Sequence, residues 1–115
     1  MENNVSGGRG EVVVVLTNLP DLAAADKLAQ LLVAQRLAAC VNVLAPCSSV
    51  YRWKGGIETA IEIPVLIKIA AALYPRVEAA IRANHPYELP EIISVPVETG
   101  LAEYLRWIAT ETFVE

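Results

Sequence analysis

The sequence predicts an α+β fold, a ferredoxin-like βαββαβ sandwich with a long hairpin between its second and third strands and an extra C-terminal helix. One observation is the strict alternation of side chains along Ile57–Ile69, well beyond the usual strand length of about five or six residues. A second is the continuous apolar segment Val12–Leu16, typical of a strand buried on both faces. A third is the order of strand-like and helical segments, β-α-β-β-α-β followed by a helix.

Length and composition limit the class of protein. A chain of 115 residues fits one domain, and we expect that domain to span residues 11–115. Residues 1–10 are polar, with three glycines and two asparagines, and predict a disordered tail. Because 55% of the residues are hydrophobic, the excess apolar surface must enter a core or a subunit interface.

Charge, apolar run length and cysteine content argue against several partners and locations. The net charge is −4 and the nine basic residues are scattered, which argues against nucleic acid as a partner. No apolar run approaches the roughly 18 to 20 residues that span a bilayer, so we expect no membrane insertion. No secretory leader opens the chain, and Cys40 and Cys47 match no disulfide framework, so we expect a cytoplasmic protein.

The first half of the chain contains two strands and a helix. Val12–Leu16 is the first strand, and Asp21 is a candidate N-cap for a helix that runs to about Leu37. The apolar positions of this helix share one face: Ala24, Leu28, Leu31 and Leu32. Residues 39–44 form the second strand, which Pro46 interrupts, so we expect a bulge or an edge strand there.

The long hairpin follows. Lys54-Gly55-Gly56 separates two extended segments and predicts a turn. Pro64 lies inside the outgoing strand, so we expect either a bulge or the point at which this strand leaves its neighbour. A hairpin this long overhangs a domain of this size, and its apolar side chains need cover. Another copy of the same chain supplies that cover most simply.

The second half contains a helix, a strand and a final helix. Tyr74-Pro75 opens a helix that ends at residues 84–86. Residues 91–97 form the fourth strand, and Pro96 marks it as an edge. The last helix is expected to turn four residues inward: Leu101, Tyr104, Leu105 and Ile108.

Three side chains are candidates for metal or redox chemistry. His85 is the single histidine, and it is either a capping and packing residue or a ligand. Cys40, at a strand start, is either a buried inert thiol or a ligand. We expect Cys47, beside Pro46, to be the more exposed thiol. No second histidine or cysteine stands at structural-zinc spacing.

The long strand also carries charge. Glu58, Glu62 and Lys68 share one face, which is either solvated or part of a pocket between subunits in which Lys68 pairs with a carboxylate. Tyr51 and Trp53, on the incoming strand, either pack across the hairpin or contact another subunit. We find no nucleophile elbow, phosphate-binding loop or acid–base pair, so we expect a binding or assembling module and not an enzyme.

Five motifs, in order and spacing, resemble those of the CutA family of divalent-cation-tolerance proteins: Arg36–Asn42, Ser49–Gly55, Leu66–Lys68, His85–Ile93, and Gly100 with Tyr104–Ile108. The match runs from residue 12 to about residue 109. The resemblance implies a homotrimer of ferredoxin-like subunits, in which the long hairpin reaches a neighbour and edge strands pair between chains. We expect Tyr51, Trp53 and Val95 at that trimer interface.

The resemblance also implies a function. Such trimers look like the PII signal-transduction proteins, and the family is associated with tolerance of copper and other divalent metals and, in animals, with anchoring of a cell-surface esterase. No reaction is established for the family. One hypothesis is a copper-linked regulatory protein with His85 and Cys40 as metal ligands. The alternative is a small-ligand or protein-partner module without a specific metal site, its pocket between subunits lined by Trp53, Glu62, Lys68 and Tyr87.

The sequence departs from the family pattern where metal is concerned. Members credited with copper binding carry a cysteine in place of Thr17 and a second histidine in place of Asn84. One imidazole cannot hold a divalent ion selectively, so no cofactor is certain and copper is a candidate only. Ala60, Ile61 and Ile69 stand where many relatives carry polar residues, which weakens the charged-pocket hypothesis.

Overall fold

The structure is a computed structural model, and it describes residues 11–112. The predicted disordered tail over residues 1–10 therefore lies outside the described residues. In chain order the elements are β1 (Val12–Leu19), α1 (Leu22–Ala34), β2 (Cys40–Val43), β3 (Cys47–Trp53), β4 (Gly56–Ala70), a 3₁₀ turn (Ala71–Leu73), α2 (Tyr74–Asn84), β5 (Ile93–Pro96) and α3 (Ala102–Glu111). Within the described residues, no helix is both long and apolar enough to cross a bilayer.

The sheet has the ferredoxin-like order β2-β4-β1-β5 with every neighbouring pair antiparallel, as predicted. β1 is central and β5 is an edge, which is where Pro96 is tolerated. Alternate residues of β1 and β4 enter one core with residues of α1 and α2: Val15, Leu19, Val65, Ile67, Leu28, Leu32, Val77 and Ile81. Both helices therefore cover one face of the sheet, which we call the helical face.

The opposite face of the sheet, the second face, is only partly covered. α3 packs on Val12 through Leu105 and Ile108, which are 2% and 1% exposed. The prediction that Leu101 and Tyr104 also turn inward is wrong, because they are 69% and 38% exposed. A helix of ten residues spans only one end of the sheet, and the rest of the second face has no cover within the described chain.

β4 has fifteen residues, and its two halves have different surroundings. From Ile63 to Ala70 it pairs with β1, whereas from Gly56 to Glu62 it pairs with β3 alone. Residues 56–62 project from the sheet together with β3 as a hairpin. The described chain is therefore 51 Å long and about half as wide. Val50, Ile57 and Ile61 on this hairpin are 68%, 70% and 63% exposed, so the predicted overhang with uncovered apolar side chains is present.

The hairpin turn follows from its sequence. Lys54 and Gly55 are the two loop residues, with φ of 49° and 84°, and Trp53 pairs with Gly56. Two positive φ values define the type I′ turn that fits the twist of a two-residue hairpin. Gly55 adopts this conformation without steric cost, since it has no Cβ.

Pro64 in β4 and Pro46 between β2 and β3 have separate consequences. The β1–β4 register is unbroken at the Asn18–Pro64 pair, so the predicted alternative of a bulge at Pro64 is wrong. The last pair between the two strands is Leu19–Ile63, next to Pro64, and β4 leaves β1 there. The Pro64 carbonyl accepts from the Leu44 N–H at 2.9 Å, so its backbone polar groups face the β2 side. The bulge lies on that side, beside Pro46, where residues 43 to 47 oppose residues 65 to 62.

The N-cap of α1 is as predicted, and its end is earlier. The Asp21 carboxylate accepts from the Ala24 N–H at 2.8 Å. The helix stops at Ala34 and not near Leu37, because Arg36 adopts a left-handed φ of 60°. The Leu37 and Ala38 N–H groups then bond back to the Leu32 carbonyl, so Leu37 is buried beyond the helix end.

Thr17 carries the one buried side-chain oxygen without a hydrogen-bond partner among the described residues. It is 1% exposed and lies on the helical face of β1, between Val15 and Leu19.

We expect Thr17→Val to stabilise the protein by about 1 kcal/mol, because valine keeps the shape and removes an unpaired buried hydroxyl. Urea unfolding at fixed protein concentration measures this. Thr17→Ser, which keeps the hydroxyl and loses the methyl group, is expected to destabilise the protein. A lower free energy of unfolding for Thr17→Val than for wild type contradicts the expectation.

Candidate functional site

A cleft of about 770 Å³ lies between the projecting hairpin and the loop that follows α2. The hairpin forms one wall, the loop over residues 86–91 forms the other, and the end of β1 closes the base. The residues that line it are Asn18, Ser49, Val50, Tyr51, Trp53, Glu62, Pro86, Tyr87, Glu88, Leu89, Pro90 and Glu91. The geometry of the cleft therefore depends on how the loop is held against the sheet.

Hydrogen bonds to Asn18 hold both ends of the loop. His85 Nε2 lies 2.6 Å from the Asn18 carbonyl, and the Asn18 side-chain amide donates to Glu91 Oε1 at 2.7 Å. His85 Nδ1 accepts from the Tyr87 N–H at 3.1 Å, so Nε2 carries the proton that Asn18 accepts. Both imidazole nitrogens are thus engaged, and His85 acts as a positioning residue for the loop.

Glu62 and Tyr87 meet across the cleft. Glu62 is only 7% exposed, and it lies on the second face of β4 where the hairpin begins to project. The Tyr87 hydroxyl donates a hydrogen bond to the Glu62 carboxylate. Burial, this hydrogen bond and the Glu62 charge together raise the pKa of Tyr87 to about 12. The pair joins the loop to the hairpin.

Aromatic side chains form the hairpin wall of the cleft. Tyr51 and Trp53 alternate along β3 and therefore share the sheet face that carries Glu62. Tyr51 is 43% exposed, and Trp53 is half-buried. The Lys54 ammonium lies 5.6 Å from the centre of the Trp53 ring, a cation–π contact at the tip of the hairpin.

Three of the four predicted pocket residues, Trp53, Glu62 and Tyr87, lie together, and Lys68 does not. Lys68 lies six positions from Glu62 along β4, which is about 20 Å of strand. Lys68 Nζ lies 3.5 Å from the Tyr104 hydroxyl and 5.7 Å from the centre of its ring. Lys68 thus contacts α3, and no carboxylate pairs with it among the described residues.

The two predicted metal ligands are not brought together in the chain. Cys40 opposes Lys68, whereas His85 bonds to Asn18, which opposes Pro64. Pro64 and Lys68 lie four positions apart along β4, which is about 13 Å. Among residues 11–112 no three His, Cys, Asp or Glu side chains cluster closely enough to hold a metal ion. His85 and Cys40 therefore do not fit a copper site within one chain.

The predicted interface residues are in different places. Val95 lies on the second face of edge strand β5, opposite Val14, and is 50% exposed. Its neighbour Ile93 is 52% exposed on the same face. Tyr51 and Trp53 lie on the hairpin, so all three residues are accessible to another chain.

Sequence reasoning missed Asn18 and Glu91. Asn18 lies outside all five motifs, and Glu91 lies within His85–Ile93 without a role assigned to it; each matters because the loop over residues 86–91 folds back onto the end of β1. The nearest signal in the sequence is the pair Pro86 and Pro90, which restrict the backbone on both sides of Tyr87. The pair predicts a stiff loop but not the strand that it contacts.

The arrangement is suited to binding. Its single imidazole is fully hydrogen-bonded, and no serine or cysteine lies in hydrogen-bond contact with that ring among the described residues. The cleft instead offers an aromatic wall, the buried carboxylate of Glu62, and a loop that is held by hydrogen bonds to Asn18. Features of this kind are suited to holding a ligand, and no activated nucleophile accompanies them among the described residues.

The raised pKa of Tyr87 generates a prediction. The folded chain holds the Tyr87 proton more tightly than the unfolded chain, whose value is 10.0. The Tyr87 contribution to stability is therefore complete below about pH 10 and is lost as pH rises through about 12. Ultraviolet titration of Tyr87→Phe should lose the phenolate that forms at about pH 12. Tyr104→Phe is the control and should keep the phenolate that forms at about pH 12. If Tyr87→Phe instead loses a phenolate that forms near the ordinary value of 10.0, the raised pKa of Tyr87 is contradicted.

Comparison with known proteins gives one consistent result. The family model described as CutA1 divalent ion tolerance protein matches residues 13–111. The divalent-cation tolerance protein CutA of Thermus thermophilus is 38% identical over 99 residues, which are 86% of this chain and 96% of that protein. Protein CutA of Homo sapiens is 39% identical over 103 residues, 90% of this chain but only 58% of that longer protein. The chain thus spans nearly all of the bacterial relative and little more than half of the human one.

Solved structures agree with these sequence matches. The crystal structure of CutA from Xylella fastidiosa has a TM-score of 0.87 at 46% identity, over 90% of this chain and 99% of that one. A CutA from Archaeoglobus fulgidus, described as a periplasmic divalent cation tolerance protein, has a TM-score of 0.84 at 34% identity, over 87% and 97% of the two chains. The Thermus and Archaeoglobus proteins are named for tolerance of divalent cations. The chain belongs to the CutA1 family of divalent ion tolerance proteins.

Proposed function

We propose that the protein is a homotrimeric divalent-cation-tolerance protein that acts as a regulatory binding module and not as a catalyst. The observation that carries this proposal is the cleft, in which Glu62 and Tyr87 join the hairpin to the loop after α2. The ligand binds in this cleft, and the hairpin that forms one wall also contacts a neighbouring subunit. Ligand binding and assembly are therefore coupled through one element.

Exposed apolar side chains support self-association. They form one group on the hairpin, Val50, Ile57 and Ile61, and a second on the open face of β5, Ile93 and Val95. Side chains of this kind are uncommon in contiguous groups on a monomer surface and mark interaction sites. The β5 edge also presents unpaired backbone groups, which pairing with another chain satisfies.

A cytoplasmic location is part of the proposal. Cys40 and Cys47 are both free thiols. They oppose Lys68 and Glu62, about 20 Å apart along β4, so they cannot form a disulfide with each other within one chain. Free thiols persist in a reducing compartment. The Archaeoglobus relative is described as periplasmic, so the proposal implies that location differs between members of the family.

Assembly is tested by sedimentation equilibrium. We expect wild type at three times the 12.4 kDa subunit mass. Val95→Asp is expected to shift the population to lone subunits, because burial of a charge at the interface has a large desolvation cost. Leu22→Asp is the matched control: Leu22 is 56% exposed on α1, much like Val95, and lies on no proposed interface. A folded wild-type monomer at working concentrations, or equal dissociation of both variants, contradicts the proposal.

Copper binding at His85 is the second candidate function, and the tolerance of divalent cations for which the family is named is the observation that favours it. The geometry opposes it, because both nitrogens of His85 are hydrogen-bonded and Cys40 lies at a distance. Tolerance of divalent cations is then exerted through assembly and ligand binding.

Copper titration by calorimetry separates the two candidates. We expect wild type and His85→Ala to bind copper equally and weakly, because His85 is committed to Asn18 and Tyr87. Cys40→Ser is the matched control for the second predicted ligand. Tight binding by wild type that His85→Ala loses at least tenfold establishes a histidine copper site and contradicts the expectation.

A further inference from the structure

We propose that the cleft binds a small organic cation, an alkylammonium group that sits between the Glu62 carboxylate and the aromatic wall of Tyr51 and Trp53. This inference rests on the proposed function, because it names the chemical class of the ligand that the same cleft takes. It follows from the charge, the burial and the ring chemistry of the residues that line the cleft.

The first argument is the charge of the lining. Three carboxylates, Glu62, Glu88 and Glu91, line the cleft, and no Lys, Arg or His is among its described lining residues. Glu91 is engaged by the Asn18 amide, which is neutral. A surface of this composition attracts cations and repels anions such as phosphate and carboxylate.

The second argument is the burial of Glu62. This carboxylate is 7% exposed, and the described chain gives it one hydroxyl donor, Tyr87, and no cationic partner. A buried charge is ordinarily paired, because desolvation without a counter-charge costs several kcal/mol. A cation in the cleft supplies the missing counter-charge.

The third argument is the aromatic wall. Indole and phenol faces attract cations within about 6 Å of the ring centre, and such rings recognise methylated ammonium groups. Trp53 already holds one ammonium in this way, that of Lys54 at 5.6 Å. Tyr51 lies two residues along the same strand face.

The same features favour an organic cation over a metal ion. A divalent metal needs several oxygen or nitrogen ligands at about 2.0 to 2.6 Å, and no cluster of three suitable side chains exists among the described residues. Apolar and aromatic side chains such as Leu89 and Trp53 contribute no metal ligands, whereas they pack well against methyl groups. A cleft of about 770 Å³ is ample for a group of a few carbon atoms.

The test compares three probes of similar size by amide and indole NMR chemical shifts of the full chain: tetramethylammonium, neutral tert-butanol and anionic pivalate. We expect tetramethylammonium to shift the Trp53 indole and the amides of residues 87–91 in a saturable way, and the other two to have little effect. Glu62→Gln keeps an acceptor for Tyr87 and removes the charge, so its affinity should fall about tenfold. Trp53→Leu, on the projecting hairpin, should weaken binding about threefold.

Glu103→Gln is the matched control, since it removes one carboxylate from exposed α3 outside the cleft. It should bind like wild type; an equal loss in Glu103→Gln and Glu62→Gln shows an effect of net charge only and overturns the inference. Tighter binding of tert-butanol or pivalate at the same resonances overturns the cation class but retains the cleft as a binding site. No saturable shift with any probe overturns the cation inference, whereas the proposed homotrimer is decided separately by sedimentation equilibrium.

Discussion

β4 is the element on which the rest of the structure depends. Its inner half is a central strand between β1 and β2, and its outer half pairs only with β3. The inner half gives Ile63, Val65, Ile67 and Ile69 to the core, all at most 5% exposed. The same alternation continues outward, so Ile57 and Ile61 remain apolar where no layer covers them. One continuous period-two pattern thus builds both a stable core and a surface suited to another chain.

The cleft is a consequence of that projection. If the hairpin did not project beyond the sheet, the cleft would lack its first wall. If the loop over residues 86–91 were not held in place, the cleft would lack its second wall. Asn18 and His85 fix the loop at the end of β1, and Glu62 and Tyr87 join it to the hairpin. His85, the only histidine of the chain, positions the loop over residues 86–91 through both of its ring nitrogens. It therefore does not act as a simple metal ligand in this arrangement. Divalent-cation tolerance is the property for which the family is named, and we propose ligand binding coupled to assembly as its basis in this chain.

The helices and strands could be predicted from local pattern, because each is set by neighbours a few residues apart. The apolar alternation of β4, the Lys54-Gly55 turn, the Asp21 cap and the Pro75 helix start all have local causes, and all are found. The inward orientation of Leu101 and Tyr104 could not be predicted in this way. Helical periodicity shows that a face is apolar, but the length of sheet beneath α3 decides how much of that face is buried.

By itself, the sequence determined the fold class, the order of the strands and the excess of apolar surface, since these follow from periodicity, turn chemistry and composition. Only the tertiary structure decided which polar groups meet. It placed Lys68 beside Tyr104 of α3 and Tyr87 on Glu62. It also engaged both nitrogens of His85, one of them with a residue 67 positions away. The physical reason is that a side-chain hydrogen bond requires two atoms within about 3.5 Å, and strand register and loop path, not residue type, set that distance.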